Sequence, residues 1–206
     1  KSYTTGFGFK SEFLNRRERL NVAVFNTEYN SIQLTFQNGS SPVTANGGDG
    51  RIRGVEAELN LAPTAHWTLD ASGGYMDAKY QSILPGVPLT GREKFVNTPK
   101  YQAQAGTAYT IETGSLGSFT PRVDWVYAAK TYNDEINSEL LATPAGSYFN
   151  GSLTWRSDDK RYEIQAGVTN IADRRVVVSG YTNATAIYSG VFSRPREWYL
   201  TLRFHN

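Results

Sequence analysis

RIRGVEAELNLAPTAHWTLDASGGY, residues 51–75, decides the fold, because polar and apolar residues alternate through it twice with a short turn between the two runs. Before the turn, Val55, Ala57, Leu59 and Leu61 fall opposite Glu56, Glu58 and Asn60. After it, Trp67, Leu69, Ala71, Gly73 and Tyr75 fall opposite Thr68, Asp70, Ser72 and Gly74. Successive side chains of a strand point to opposite faces, so this period of two makes one face apolar and the other polar. The same split recurs at Tyr162, Ile164, Ala166 and Val168 against Glu163, Gln165 and Thr169.

Working outward, nine segments of this kind fall near 2–13, 19–35, 51–62, 66–80, 98–112, 119–132, 147–157, 161–171 and 195–204. A tilted strand needs about 9–11 residues to cross hydrocarbon, and these are long enough. The connections near 15–17, 62–65, 113–117 and 157–160 are short and rich in turn formers, whereas those near 37–50, 81–97, 133–146 and 172–193 are long. Strict alternation of short and long puts every long loop at one end. A soluble β-sandwich accounts for the alternating polarity but not for that asymmetry. Short periplasmic turns and long extracellular loops are the plan of an outer-membrane barrel. The predicted fold class is all-β, an antiparallel up-and-down transmembrane β-barrel.

Composition agrees. Thirteen Tyr, ten Phe and four Trp beside 19 Gly suit strands and turns with rings at an interface. Mean hydropathy is −0.46, so bulk hydropathy alone would file the chain as a soluble domain. With no run of 18 apolar residues, any crossing must be made by strands. The absence of Cys excludes a disulfide scaffold and a thiolate zinc site, and a net charge of +2 supplies no basic stripe for nucleic acid.

In a barrel the polar face lines the lumen. Glu56, Glu58, Asp70, Arg122, Asp124, Glu163 and Arg203 are expected there, facing water or a plug. On the apolar face, Trp67, Phe119, Trp155, Tyr162 and Phe204 lie near the short turns and form the expected periplasmic girdle, with Tyr75, Tyr101, Tyr127 and Phe149 for the outer one. Nine strands cannot close a bacterial single-chain barrel, which takes an even number, and open edges in lipid are costly. The chain also opens on Lys1 with neither an initiator Met nor a signal peptide. It reads as a fragment.

Several stretches resemble the carboxy-terminal barrel of TonB-dependent receptors. GFGFKSEFLNRRERLNVAVFNTEYNSIQ (6–33) is similar to a family hairpin turning at a basic pair, and RIRGVEAELNLAP (51–63) to its Gly-Val-Glu strand. VNTPKYQAQAGTAYTI (96–111) resembles an Asn-Thr-Pro strand start, and GVTNIADRR (167–175) the element closing the penultimate strand. RPREWYLTLRF (194–204) resembles the terminal strand, whose Trp198, Leu200, Leu202 and Phe204 would then be the signal read by the barrel-assembly machinery; the family strand ends on the aromatic, whereas here His205 and Asn206 follow. The resemblance implies that residues 1–206 are the last nine strands of about 22, with a plug domain and earlier strands outside this chain. It further implies TonB-dependent uptake across the outer membrane of a scarce nutrient, a ferric siderophore or similar iron complex. The implied partners are the rest of the barrel and its plug, the TonB complex through a segment absent here, outer-membrane lipids and lipopolysaccharide.

Loops are where contact with such a nutrient is expected. Tyr80, Arg92, Lys94, Tyr132, Asn133, Arg174, Arg175 and Tyr181 supply rings and cations suited to an anionic, ring-bearing chelate. Ordinary solvated loops or loop packing explain any single one of them. Neither His66 nor His205 has a partner at metal-ligand spacing, and Asp134, Glu135 and Glu139 read as solvated charges, so no metal or cofactor is expected. No nucleophile with a placed base appears, so no enzyme is expected. The triplets at Asn38 and Asn183 match glycosylation acceptors by chance, and the pairs Arg16-Arg17 and Arg174-Arg175 are expected to meet lipid phosphates or water. The competing functions are a passive porin or small adhesion-type barrel, and a soluble β-rich binding module.

Overall fold

The computed structural model describes residues 1–13, 17–38, 41–182 and 187–205, with Gln37 and Asn38 as backbone alone. Arg16 of the first basic pair, and the acceptor triplets at Asn38 and Asn183 beyond their described backbone, lie outside these residues. The strands are β1 (Ser2–Phe13), β2 (Glu18–Asn38), β3 (Ser41–Leu61), β4 (Trp67–Ile83), β5 (Tyr101–Tyr109), β6 (Ile111–Glu112), β7 (Ser118–Ala128), β8 (Gly146–Arg156), β9 (Tyr162–Thr169), β10 (Val177–Thr182), β11 (Tyr188–Phe192) and β12 (Glu197–Phe204). Nine of them form one wall in the order β1-β2-β3-β4-β5-β7-β8-β9-β12, with β6 adding two pairs to β7 and β10–β11 standing apart as a hairpin. Every wall pair is antiparallel.

Register carries the alternating pattern across the whole wall. Leu20, Leu59, Ala71, Ala105, Trp125 and Phe149 are paired in one rung. One residue along, Arg19, Asn60, Asp70, Gly106, Asp124 and Asn150 form the next, on the opposite face. A slip of one residue in any strand would put its polar set among the apolar rungs, so the pattern itself fixes the pairing. The apolar face covers nothing. Among the described residues the buried apolar side chains are Leu34, Leu141 and Val176, while wall residues such as Val123 and Leu153 are about half exposed. A soluble module would turn these residues inward, so the observed arrangement, greasy side out, overturns that reading and needs lipid around it.

The short-turn end is closed by local bonds. Thr64 Oγ1 accepts the N–H groups of His66 and Trp67 at 3.2 and 3.1 Å. Ser157 Oγ accepts the Tyr162 N–H at 3.0 Å and donates to Asp159 at 2.6 Å. Gly117, at φ 86°, ends the turn before β7, where any side chain would collide with the Arg156 carbonyl.

The long-loop end departs from expectation in two places. Residues 37–38 and 41–50 are strand and do not form a long loop. The β2–β3 ladder continues from Gln33 against Asn46 to Asn38 against Ser41, past a bulge near Ser31 at φ 60°, so this segment is a ribbon rising beyond the wall. Its glycines and Pro42 read as loop because, above the hydrocarbon, neither face of a ribbon has to be apolar. Within 172–193, β10 and β11 pair as a second hairpin, while β9 bonds directly to β12 beneath it.

Candidate functional site

The segments between β4 and β5, between β7 and β8, and the β10–β11 hairpin are tied into one cap. Asn137, at φ 55°, bridges the first two: its Oδ1 accepts the Lys94 N–H at 2.6 Å and its Nδ2 donates to the Lys94 carbonyl at 3.1 Å. The Asn97 N–H donates to the Tyr132 carbonyl at 2.9 Å. On the other side, Asp134 accepts the Ser138 N–H at 2.7 Å and the Thr182 hydroxyl at 3.1 Å, and Thr143 donates to the Val177 carbonyl at 2.6 Å. Leu141, 2% exposed, packs against Gly180, where a Cβ would stand 2.8 Å from its Cδ2. Asp134 is therefore a buried hub rather than the solvated charge expected.

The eight loop residues named from the sequence divide. Tyr181 is exposed and lines a recess of ≈ 700 Å³ together with Phe36, Pro42, Asp134 and Glu135. Asn133 lines the same recess but is 7% exposed, and its amide donates to the Leu141 carbonyl at 2.6 Å and to Thr143 Oγ1 at 3.0 Å. Its Oδ1 is buried with no partner. Tyr80 packs against Phe95 with the rings tilted by 47° and centroids 4.5 Å apart, and Tyr132 donates to Glu139 at 3.1 Å while Lys130 sits 4.7 Å above its ring. Arg174 lies 5.1 Å from the Tyr148 ring and donates to the Pro144 and Ala145 carbonyls at 2.6 and 2.9 Å. It clamps backbone instead of meeting lipid or water. Arg92, Lys94 and Arg175 are exposed, and none of the cations named lines the recess with Tyr181.

Carboxylates and rings give the recess its electrostatics. Burial, then the neighbouring charge of Asp134, holds the Glu135 carboxyl above its usual range. Outside the recess lining, Tyr80 lies five residues past Tyr75, beyond the apolar band, and burial with the charges of Glu135 and Glu93 pushes its hydroxyl up to about 12. A hydrogen-bond donor on an apolar or aromatic group fits these walls better than a bare anion does. Among the described residues no group of three His, Asp or Glu side chains converges as a metal ion would need.

Two charge clusters occupy the polar face of the wall. Arg122 donates to Asp70 at 2.9 Å and contacts Asp124 at 2.6 Å, over Gly106, where a side chain would collide with all three. Nearer the short turns, Arg156, Glu163 and Arg203 form one rung, with Glu163 5% exposed and bonded to both guanidinium groups. Arg156 escaped the sequence reading, although counting back from the 157–160 turn sets it opposite Glu163. Glu58 accepts the Asn21 amide at 3.1 Å, and Glu56 lies on the same face one polar rung toward the loops. On the apolar face of β12, Trp198, Leu200, Leu202 and Phe204 are all more than 60% exposed.

The chain matches the family model for the TonB dependent receptor-like β-barrel over residues 1–171. It is 26% identical over 199 residues to the probable TonB-dependent siderophore receptor PiuA of Acinetobacter baumannii, covering 89% of this chain and 24% of that protein. It is 28% identical over 189 residues to the ferrichrome outer membrane transporter and phage receptor of Escherichia coli, covering 87% and 23%. The structure superposes on the ferric yersiniabactin uptake receptor FyuA of Yersinia pestis with a TM-score of 0.80 at 21% identity, over 98% of this chain and 30% of that one, a likeness of fold. The chain spans about a quarter of the length of the curated relatives it matches.

Proposed function

The chain belongs to the TonB-dependent receptor β-barrel family of the bacterial outer membrane, and on that premise we propose that it builds the carboxy-terminal nine of about 22 wall strands in an active transporter for a ferric siderophore or similar iron complex. Two relatives named for siderophore or ferrichrome transport support the cargo. The observation that carries the wall is its outward face: from the Trp67 rung to the Tyr75 rung, the paired outward residues of β2 to β9 are uncharged apart from Glu18, the first residue of β2, on the Leu69 rung nearest the short turns. Those eight residue-to-residue steps rise about 26 Å along the strand, the scale of a hydrocarbon layer once tilt is included. Both β1 and β12 keep one edge unpaired among the described residues, and in lipid each edge calls for another strand.

In this reading Glu56, Glu58, Asp70, Arg122, Asp124, Glu163 and Arg203 face a plug domain supplied by the rest of the receptor, which also carries the segment that engages the TonB complex. Tyr181 and its recess meet the cargo first, with Arg92, Lys94 and Arg175 as outlying contacts. Trp198, Leu200, Leu202 and Phe204 present the β12 signal to the barrel-assembly machinery.

The test is uptake of radioiron carried by ferrichrome, by ferric yersiniabactin and by a ferric catecholate, in iron-starved cells with and without the intact receptor. Uptake of at least one chelate should require both the receptor and TonB. Uptake that persists unchanged without TonB would point to a passive pore instead.

A further inference from the structure

At the long-loop end β4 outruns its neighbour. Its ladder with β5 closes at Tyr75 against Tyr101, with one more bond from the Met76 N–H to the Lys100 carbonyl at 3.0 Å, yet β4 continues to Ile83. The wall is notched there. A recess of ≈ 360 Å³ opens between upper β4 and the segments 94–100 and 130–132, and Lys79, Lys94, Lys100 and Lys130 line it against a single carboxylate, Asp77.

Register sets the height of this notch. Tyr75 and Tyr101, with rings 5.2 Å apart, close the apolar outward band, and the Lys100 ammonium stands 5.7 and 5.6 Å from their centroids. The next outward rungs pair Asn26, Arg53 and Asp77, then Glu28, Arg51 and Lys79. Positive charge thus begins one rung past the last aromatic pair, where hydrocarbon gives way to headgroups. Some of it is already met: Lys79 bonds Asp77 at 2.8 Å and Lys130 bonds Glu139 at 2.5 Å. Counting Arg51 and Arg53 with the four lysines, six cations face three carboxylates, Glu28, Asp77 and Glu139.

We propose that this notch binds the phosphate groups of lipopolysaccharide, the glycolipid of the outer leaflet, with its acyl chains laid down the band below Tyr75 and Tyr101. Ammonium and guanidinium groups supply charge-assisted bonds to phosphate oxygens, and the two rings keep Lys100 at headgroup level. The cations reach from β3 across the β5 position to the end of β7, roughly 15 Å at the usual strand spacing. One phosphodiester headgroup meets only part of that width, whereas a disaccharide carrying a phosphate at each end spans it. The inference rests on the outer-membrane placement above and not on the cargo.

Native mass spectrometry of the full-length receptor in mild detergent tests it, with bisphosphorylated lipid A, monophosphoryl lipid A and phosphatidylglycerol as probes. The intact receptor should hold the bisphosphorylated form most tightly. A combined Lys79→Gln, Lys100→Gln and Lys130→Gln variant, shown folded by its heat-modifiable migration, should lose roughly a hundredfold in that affinity. The matching triple Arg variant should keep it. Equal retention of phosphatidylglycerol by the intact receptor, or unchanged lipid A binding by the Gln variant, overturns the proposal, and the first arm needs no variant to fold. Radioiron uptake, read separately, reports on the cargo alone.

Discussion

Between Trp67 and Tyr75 the wall buries no side chain, whereas the cap above it closes over Leu141 at 2% exposure. In the wall, backbone ladders hold position and a side chain has only to belong to the right face. In the cap, the β2–β3 ribbon, the upper β3–β4 ladder and the β10–β11 hairpin pair regularly, and the connecting segments are held chiefly by named atoms: Asn137 on Lys94, Asp134 on Ser138 and Thr182, Asn170 on the Arg174 and Arg194 carbonyls. Outside crowded glycines such as Gly106, a ladder tolerates exchanges that keep polarity. A bond from a side chain to a particular carbonyl does not, so the two regions should answer mutation differently.

The largest contrast is expected inside the wall itself, at two adjacent residues. Ala105→Arg puts a charge at mid-height on the lipid face and should destabilise the bilayer-embedded barrel by about 2–4 kcal/mol, while Gln104→Arg, on the lumenal face, should cost little. Urea unfolding in phospholipid bilayers measures both, and equal costs would break the assignment of faces. Next comes the cap: Leu141→Ala should cost about 2–3 kcal/mol of local stability. Hydrogen exchange should quicken in residues 129–145 and 177–182 but not in β7 or β8, and exchange spreading into the wall would show the regions to be one unit. Smaller again, Glu163→Gln leaves Arg156 and Arg203 facing each other across a neutral rung, about 1–2 kcal/mol given that both are half exposed. The same unfolding assay reads it.

The smallest effect sharpens the comparison through pH. Because burial raises the Glu135 carboxyl above its value in the unfolded chain, its contribution to cap stability is fully present below the ordinary glutamate range. It is lost as pH rises through the shifted value. With the intrinsic base-catalysed rise of amide exchange divided out, cap protection should therefore fall from about pH 4 toward neutrality, and Glu135→Gln should flatten that fall and leave wall protection unchanged. A pH response that survives the substitution assigns it to another group.

The same contrast explains what could be read from the sequence. Each wall strand was legible to within a few residues, except β3, because lipid on one side and water on the other force a period of two through runs such as 55–61 and 162–168. The upper β2–β3 ribbon lacks that constraint, and TFQN followed by SPVTANGG gives no face to count. Tyr181 was legible as an exposed loop ring. The inward duty of Asn133 and the clamp made by Arg174 were not, since each depends on a carbonyl that folding brings close from eight to thirty residues away. The lysine notch was hidden for a related reason: it exists because β5 starts late, and strand starts are the part of an alternating pattern that polarity marks least.

The direct pairing of β9 with β12, with the paired strands β10 and β11 interposed between them, separates wall geometry from whatever lies between the two strands. Material can be exchanged at that point without disturbing the strand register, provided both ends return to Asn170 and Arg194. Such a junction is a place where surface identity can change quickly while the wall beneath it stays the same. For an engineer it is a graft site with a built-in ruler.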